Sequence, residues 1–126
     1  MVKGLLHAAI SVSDIDRALS FYCDTLGFRH LFDINDEFGK PKTFYTQVNG
    51  TQYFEIFLSK PQFGEQVHDE PDTFPYGFHH LSVYTPSLDE LEARLLAAQA
   101  KVQRDEQCIW TRDPDGNLIR FTENKG

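Results

Sequence analysis

Two histidines interrupt apolar, strand-like stretches of this chain at matched places. His7 lies in the run of residues 5–12, and His80 opens the run of residues 80–85. When His80 is placed on His7, both runs lead through apolar residues to a polar capping residue and then an aspartate. Neutral imidazole is a common metal ligand. The pattern predicts two histidines that face a common polar pocket, although either one alone could be a satisfied core residue.

A carboxylate in an apolar strand completes a candidate ligand set. Glu55 lies in Gln-Tyr-Phe-Glu-Ile-Phe-Leu, where an ionised carboxylate costs several kcal/mol or more unless a cation or strong donors meet it. Two imidazoles and one carboxylate suit zinc, nickel, manganese or iron(II). His7, Glu55 and His80 therefore form a candidate metal site, and an ion pair between Glu55 and Arg120 is the alternative.

The other histidines lack this pattern. His79 is the one serious substitute ligand, and strand alternation predicts that it lies on the face opposite His80. His30 and His68 are interpreted as surface residues or neighbours of the site.

The elements around these residues repeat once. Ser13 and Asp16 form a capping box before a helix that ends at Gly27, and Ser87 and Glu90 form a second one. Short strand patterns follow each helix, with Asn49-Gly50 as a hairpin signal in the first half and Asp113-Pro-Asp-Gly as a turn in the second. Each half is therefore predicted to be βαβββ: module one over about 4–58, a loop over 59–76, and module two over about 77–123.

Composition limits the class of protein. The 126 residues are 40% hydrophobic and 25% charged, as expected of one globular domain. The net charge of −7 argues against nucleic acid and anionic membranes as partners and favours a small molecule. The N-terminus resembles neither a signal peptide nor a membrane span, which predicts a cytosolic protein. Cys23 and Cys108 are expected to be free thiols, with Cys23 buried in the first helix.

The chain resembles the vicinal oxygen chelate superfamily, which includes glyoxalase I, extradiol dioxygenases and bleomycin resistance proteins. The resemblance covers nearly the whole chain and is carried by Leu-Leu-His7, residues 13–22, Leu26-Gly27-Phe28, Phe54-Glu55-Ile56, residues 77–83 and residues 113–117. It implies an α+β fold of two paired βαβββ modules, whose curved mixed sheet surrounds a metal cleft with the helices outside. It also implies one divalent metal ion per site and a homodimer, with ligands from one chain or from two.

Carried over by residue, the resemblance implies His7, Glu55 and His80 as three of four metal ligands. At the fourth position the family commonly has glutamate, and this chain has Arg120. Glu123 is not a simple replacement, because its odd offset turns it to the other strand face. A guanidinium neither ligates a metal nor acts as a base at neutral pH, but it grips carboxylate or phosphate through two donors.

The leading hypothesis is a glyoxalase-like, metal-dependent lyase or isomerase, in which Glu55 moves a proton and Arg120 orients an anionic, oxygen-bearing substrate. An iron(II) dioxygenase is the second hypothesis. The third is a metal-free, ligand-sequestering protein in which Glu55 pairs with Arg120 and aromatic side chains line the pocket, these being Phe21, Tyr45, Phe54, Tyr84 and Trp110.

Overall fold

The computed structural model describes residues 1–59 and 77–126. Nearly all of the predicted loop 59–76, with His68, lies outside the described residues. The chain divides into two compact units, Met1–Pro61 and Gln62–Gly126.

The first half is a four-stranded mixed sheet with one helical segment. Its elements in chain order are β1 (His7–Val12), α1 (Ile15–Leu19) continued by a π-helical stretch (Ser20–Thr25), β2 (Arg29–Asn35), β3 (Pro41–Asn49) and β4 (Gln52–Leu58). The strand order is β1-β4-β3-β2. β1 runs parallel to β4, and the other neighbours are antiparallel. The predicted βαβββ order of this half is confirmed.

The first helix begins differently from the prediction. Its N-cap is Asp14, whose carboxylate accepts the backbone N–H of Arg17 at 3.1 Å. The capping box predicted at Ser13 is therefore wrong by one residue. Asp14 is the N-cap instead, because its carboxylate accepts a backbone N–H of the first helical turn, three residues later, that has no partner within the helix. The helix ends before Gly27 as expected, and Gly27 has a φ of +86°, which favours glycine.

One face of the first sheet is covered by this helical segment. The rings of Tyr22 and Phe28 lie 5.1 and 5.6 Å from that of Phe54, and both Tyr22 and Phe54 are almost completely buried. Phe21 is buried beside Tyr22. Phe21 and Phe54 thus belong to the core of this half, so their suggested place in a pocket lining is wrong. Their burial supplies roughly 1.5–3 kcal/mol per side chain.

The second half repeats this architecture. It contains β5 (Leu81–Thr85), α2 (Leu88–Ala97), β6 (Gln103–Arg104), β7 (Cys108–Arg112) and β8 (Leu118–Glu123). The strand order is β5-β8-β7-β6, again with the first strand parallel to the last. The two modules together confirm the predicted α+β class.

Local polar contacts close the elements of the second half. Ser87 caps α2 by accepting the N–H of Glu90 at 3.1 Å, as predicted. The turn between β7 and β8 is held by the buried carboxylate of Asp113, which accepts the backbone N–H groups of Asp115 and Asn117 at 2.9 and 2.8 Å. This turn fixes the register of β8 against β7.

Both cysteines are free thiols, as expected. Cys108 is buried, whereas Cys23 is only half-buried, and its burial together with Asp24 raises the pKa of its thiol. A raised pKa leaves less thiolate at neutral pH, so a reactive role for Cys23 is not favoured. Among the described residues, no helix is long and apolar enough to cross a membrane.

Candidate metal and substrate site

Three polar side chains share the face of the first sheet opposite to the one covered by its own helix. Ala9 of β1 pairs with Glu55 of β4, which pairs with Tyr45 of β3. His7 lies two residues before Ala9, and side chains two apart on a strand share a face. The pleat therefore places His7, Glu55 and Tyr45 on the face opposite the buried Phe54.

His7 is held between the other two. Its Nδ1 lies 2.8 Å from the Tyr45 hydroxyl, and its Nε2 lies 3.3 Å from Glu55 Oε1. The Glu55 side chain is 10% exposed and that of His7 27%. The prediction that this carboxylate must meet a partner in its apolar strand is confirmed, with His7 as that partner within the first half.

The corresponding row in the second sheet carries different chemistry. Ser82 of β5 pairs with Arg120 of β8, which pairs with Trp110 of β7. If His80 is equated with His7, Ser82 corresponds to Ala9 and Arg120 to Glu55. The strand registers therefore place the glutamate and the arginine at equivalent positions of their modules.

His80 lies just before β5, and its ring contacts two neighbours. Its Nδ1 is 2.9 Å from His79 Nδ1, and its ring meets the Trp110 ring edge-to-face at 4.9 Å between centroids. The predicted placement of His79 and His80 on opposite faces is wrong, because both residues precede the strand and escape its alternation. Burial, then the nearby His79 and Arg120, lower the pKa of His80 below its ordinary value, which favours the neutral ring.

Arg120 is positioned by an aromatic ring. Its guanidinium carbon lies 5.7 Å from the centre of the Trp110 ring, within cation–π range. Within residues 77–126, no carboxylate lies within 4 Å of its guanidinium. The nearby Asp105 accepts the N–H groups of Gln107 and Cys108, and these bonds lower the pKa of its carboxyl. Arg120 is thus held in place without an ion pair in its own half.

Glu123 points away from the sheet face that carries Arg120 and Trp110. Its Oε1 accepts the backbone N–H of Leu88 at 3.1 Å, at the start of α2. Glu123 therefore lies on the helix face of β8, and Arg120 lies on the other face. The prediction that Glu123 lies on the strand face opposite Arg120 is confirmed.

The donor set of the first half fits a divalent metal ion. With bonds of about 2.1 Å, two donors on one tetrahedral or octahedral ion lie about 3.0–3.4 Å apart. The 3.3 Å between His7 Nε2 and Glu55 Oε1 falls in this range. Among residues 1–59 and 77–126 taken together, no three His, Cys, Asp or Glu side chains are grouped to hold a metal ion. The structure therefore shows two candidate ligands, His7 and Glu55, side by side in the first half.

The sequence suggests Tyr45 and Trp110 only as core or pocket aromatics, and it does not reveal their contacts with the candidate site. The Tyr45 hydroxyl lies 2.8 Å from His7 Nδ1, and Trp110 contacts both His80 and Arg120. The available signal was positional, since each aromatic is the cross-strand partner of Glu55 or Arg120. Tyr84, another suggested pocket residue, is 74% exposed.

Two βαβββ modules with a histidine at or just before the first strand of each define an α+β protein of paired modules. The family model described as the Glyoxalase/Bleomycin resistance protein/Dioxygenase superfamily matches residues 4–121, and the chain belongs to this superfamily. The resemblance to the vicinal oxygen chelate proteins is thereby confirmed.

Relatives of this chain include enzymes of two reaction types. It is 29% identical to the metallothiol transferase FosB of Shouchella clausii, over 94% of this chain and 79% of that protein. It is 28% identical to a lactoylglutathione lyase of Haemophilus influenzae, over 96% of this chain and 93% of that protein. In fold it is similar to the fosfomycin resistance protein FosX of Listeria monocytogenes complexed with Mn(II) and sulfate. That match has a TM-score of 0.73 and 16% identity, and it covers 98% of this chain and 94% of FosX.

Proposed function

We propose that this protein is a glyoxalase-like, metal-dependent lyase or isomerase that acts on a small, oxygenated, anionic metabolite. The observation that carries the proposal is the pairing of His7 Nε2 and Glu55 Oε1 at 3.3 Å on the sheet face opposite the first helix. Two ligand atoms of the types that divalent ions prefer are thereby spaced as one ion would require.

The proposed site holds one divalent ion, zinc, nickel, manganese or iron, through His7, Glu55 and His80. An ion held there would supply Lewis acidity toward a substrate oxygen and would make the adjacent C–H group more acidic. The lowered pKa of His80 supports its part, because only the neutral imidazole is a ligand. Support for a metal also comes from the FosX structure, which contains Mn(II).

Proton transfer and substrate binding are divided between Glu55 and Arg120, which occupy equivalent positions of the two modules. Of these two residues only Glu55 is a carboxylate, so it takes the substrate proton and returns it. Arg120 offers two parallel donors to a carboxylate, phosphate or phosphonate group, and the Trp110 ring fixes where those donors point. The proposed reaction therefore uses one base and one anion clamp.

The proposal includes a homodimer that works in the cytosol on a small molecule, without nucleic acid or membrane partners. The net charge of −7 supports the last part, because both polyanions favour basic surfaces. Size-exclusion chromatography with light scattering tests the dimer, and a mass of a single 14.5 kDa chain would refute it.

Metal analysis of the purified protein tests the ligand set. We expect about one divalent ion per chain in the wild type and a large loss in His7→Ala and His80→Ala. His30→Ala is the matched control, because His30 pairs with Asp33 on the helix face of the first sheet and should leave the metal content unchanged. Equal metal content in all four proteins would contradict the proposal.

The identity of the ion and the reaction assay separate the alternatives. Redox-inactive zinc or nickel with turnover of the hemithioacetal of methylglyoxal and glutathione supports the lyase. Iron(II) with substrate-dependent oxygen uptake would support the dioxygenase. A metal-free protein that still binds ligands would support the sequestering protein. Fosfomycin with a thiol is a further assay, prompted by the metallothiol transferase relative.

A further inference from the structure

The two histidines of the proposed site, His7 and His80, are each contacted at the same ring atom, Nδ1. The contacting residues, Tyr45 and His79, are not among the proposed metal ligands. In the first half, Nδ1 of His7 contacts the Tyr45 hydroxyl at 2.8 Å. In the second half, Nδ1 of His80 contacts Nδ1 of His79 at 2.9 Å. Tyr45 comes from β3 and His79 from the residue next to His80, so the shared geometry does not follow from the repeat of the modules.

We propose that Tyr45 and His79 are positioning residues that fix His7 and His80 in the tautomer whose Nδ1 carries the proton. This inference rests on the proposed function, because it assigns Nε2 of both histidines to the metal. A neutral imidazole has one N–H and one lone pair, so the partner of one nitrogen decides what the other can do.

In the first half, distances favour this assignment. A charge-assisted hydrogen bond from Nε2–H to a carboxylate is expected at about 2.7–2.9 Å. The separation between Nε2 and Glu55 Oε1 is 3.3 Å, whereas the contact between Nδ1 and the Tyr45 oxygen is short at 2.8 Å. With the proton on Nδ1 and donated to Tyr45, two lone pairs face each other at the spacing of two ligands of one ion.

In the second half, one proton must lie between two Nδ1 atoms. If it belongs to His79, the single N–H of neutral His80 sits on Nε2 and blocks a metal bond from that atom. If it belongs to His80, His79 is the acceptor and Nε2 of His80 has a lone pair. The edge-to-face contact with Trp110 at 4.9 Å restricts the ring, so the contacts with His79 and Trp110 orient His80 together.

Two measurements on the whole protein test the inference. Nitrogen-15 NMR of the metal-free wild type reads the tautomers directly, and we expect protonated Nδ1 in both His7 and His80. Zinc affinity, from competition with a chromophoric chelator, should fall about ten- to a hundredfold in Tyr45→Phe and in His79→Ala, as is usual for residues that orient metal ligands.

Matched variants show whether a loss of zinc affinity comes only from a general disturbance of the structure. Tyr53→Phe removes a hydroxyl from the same sheet face, where the Tyr53 ring lies 5.9 Å from that of Tyr45, and it should leave zinc affinity unchanged. His79→Asn keeps an acceptor near the position of Nδ1 and should restore most of the affinity lost in His79→Ala.

The outcomes separate this inference from the proposed function. A wild type that binds zinc, together with unchanged affinity in Tyr45→Phe and His79→Ala, would overturn the positioning role and leave the metal site standing. Protonated Nε2 in the metal-free histidines would also overturn it, without any need for a variant to fold. A wild type that binds no metal would overturn the proposed function, and its tautomers would still decide the hydrogen-bond assignment.

Discussion

Replacing Arg120 tests how the chain binds its substrate. The guanidinium is half-buried, lies over Trp110 and has no carboxylate partner within residues 77–126, so its donors are available to an anion. Hydrogen bonds to charged groups contribute about 1.5–3 kcal/mol. Because solvent screens a half-exposed charge, we take the lower part of this range, about 1.5–2 kcal/mol. Arg120→Ala should therefore raise KM for anionic substrates about 10- to 30-fold.

The companion variants show which property of Arg120 matters. Arg120→Lys keeps the charge but loses the second parallel donor. About half of the binding free energy that Arg120 contributes should remain, so KM should rise about three- to fivefold. Arg94→Ala is the control, because Arg94 lies exposed on α2 beside Glu90, 3.4 Å away. It should leave KM unchanged.

Steady-state kinetics on an anionic substrate and a neutral analogue provide the measurement. The expected change is in KM with little change in kcat, since Arg120 is proposed to bind the substrate equally before and during the chemical step. A change of less than twofold in Arg120→Ala, or an equal change for the neutral analogue, would refute the reasoning.

Two further predictions concern stability and protonation. Asp113→Ala should lower the free energy of unfolding by about 2–4 kcal/mol in urea titrations, because two half-buried backbone N–H groups lose the buried carboxylate that accepts them. Asp36→Ala should cost less, because Asp36 also accepts two N–H groups but is more exposed, and equal costs would contradict the role of burial. Since burial, His79 and Arg120 lower the pKa of His80, its NMR titration in the metal-free protein should have a midpoint below 6.5, and His79→Ala should raise it. The folded state favours the neutral ring of His80, so the stabilisation of the fold that this gives is fully present above pH 6.5 and is lost as the pH falls through the folded-state pKa. A titration midpoint of His80 at or above 6.5 would refute this prediction.

The repeat and the elements within each half were predictable because they depend on local patterns. Helix caps, apolar periodicity and turn residues act over a few positions, so both βαβββ modules could be read from the chain. The first cap was missed by one residue, since Ser13 and Asp14 are both good N-cap residues and local pattern does not choose between neighbours of this kind.

The candidate site was predictable in residue type but not in contacts. His7 and Glu55 are polar residues in apolar strands, which marks them as needing partners. That Tyr45 holds His7 depends on the register of β3 against β4, which is set by a turn and by non-local pairing. The contact between His79 and His80 depends on β5 starting at Leu81, which alternation along an assumed longer strand could not reveal.

The sequence by itself therefore determined the family, the two modules and the exchange of an expected glutamate for Arg120, because these follow from residue types and short spacings. Only the tertiary structure decided that Glu55 and Arg120 occupy equivalent registers, that Glu123 accepts the N–H of Leu88 at the start of α2, and that both histidines are held at Nδ1. The physical reason is that strand pairing brings together side chains distant in the chain, and a shift of one residue would turn each of them to the opposite face.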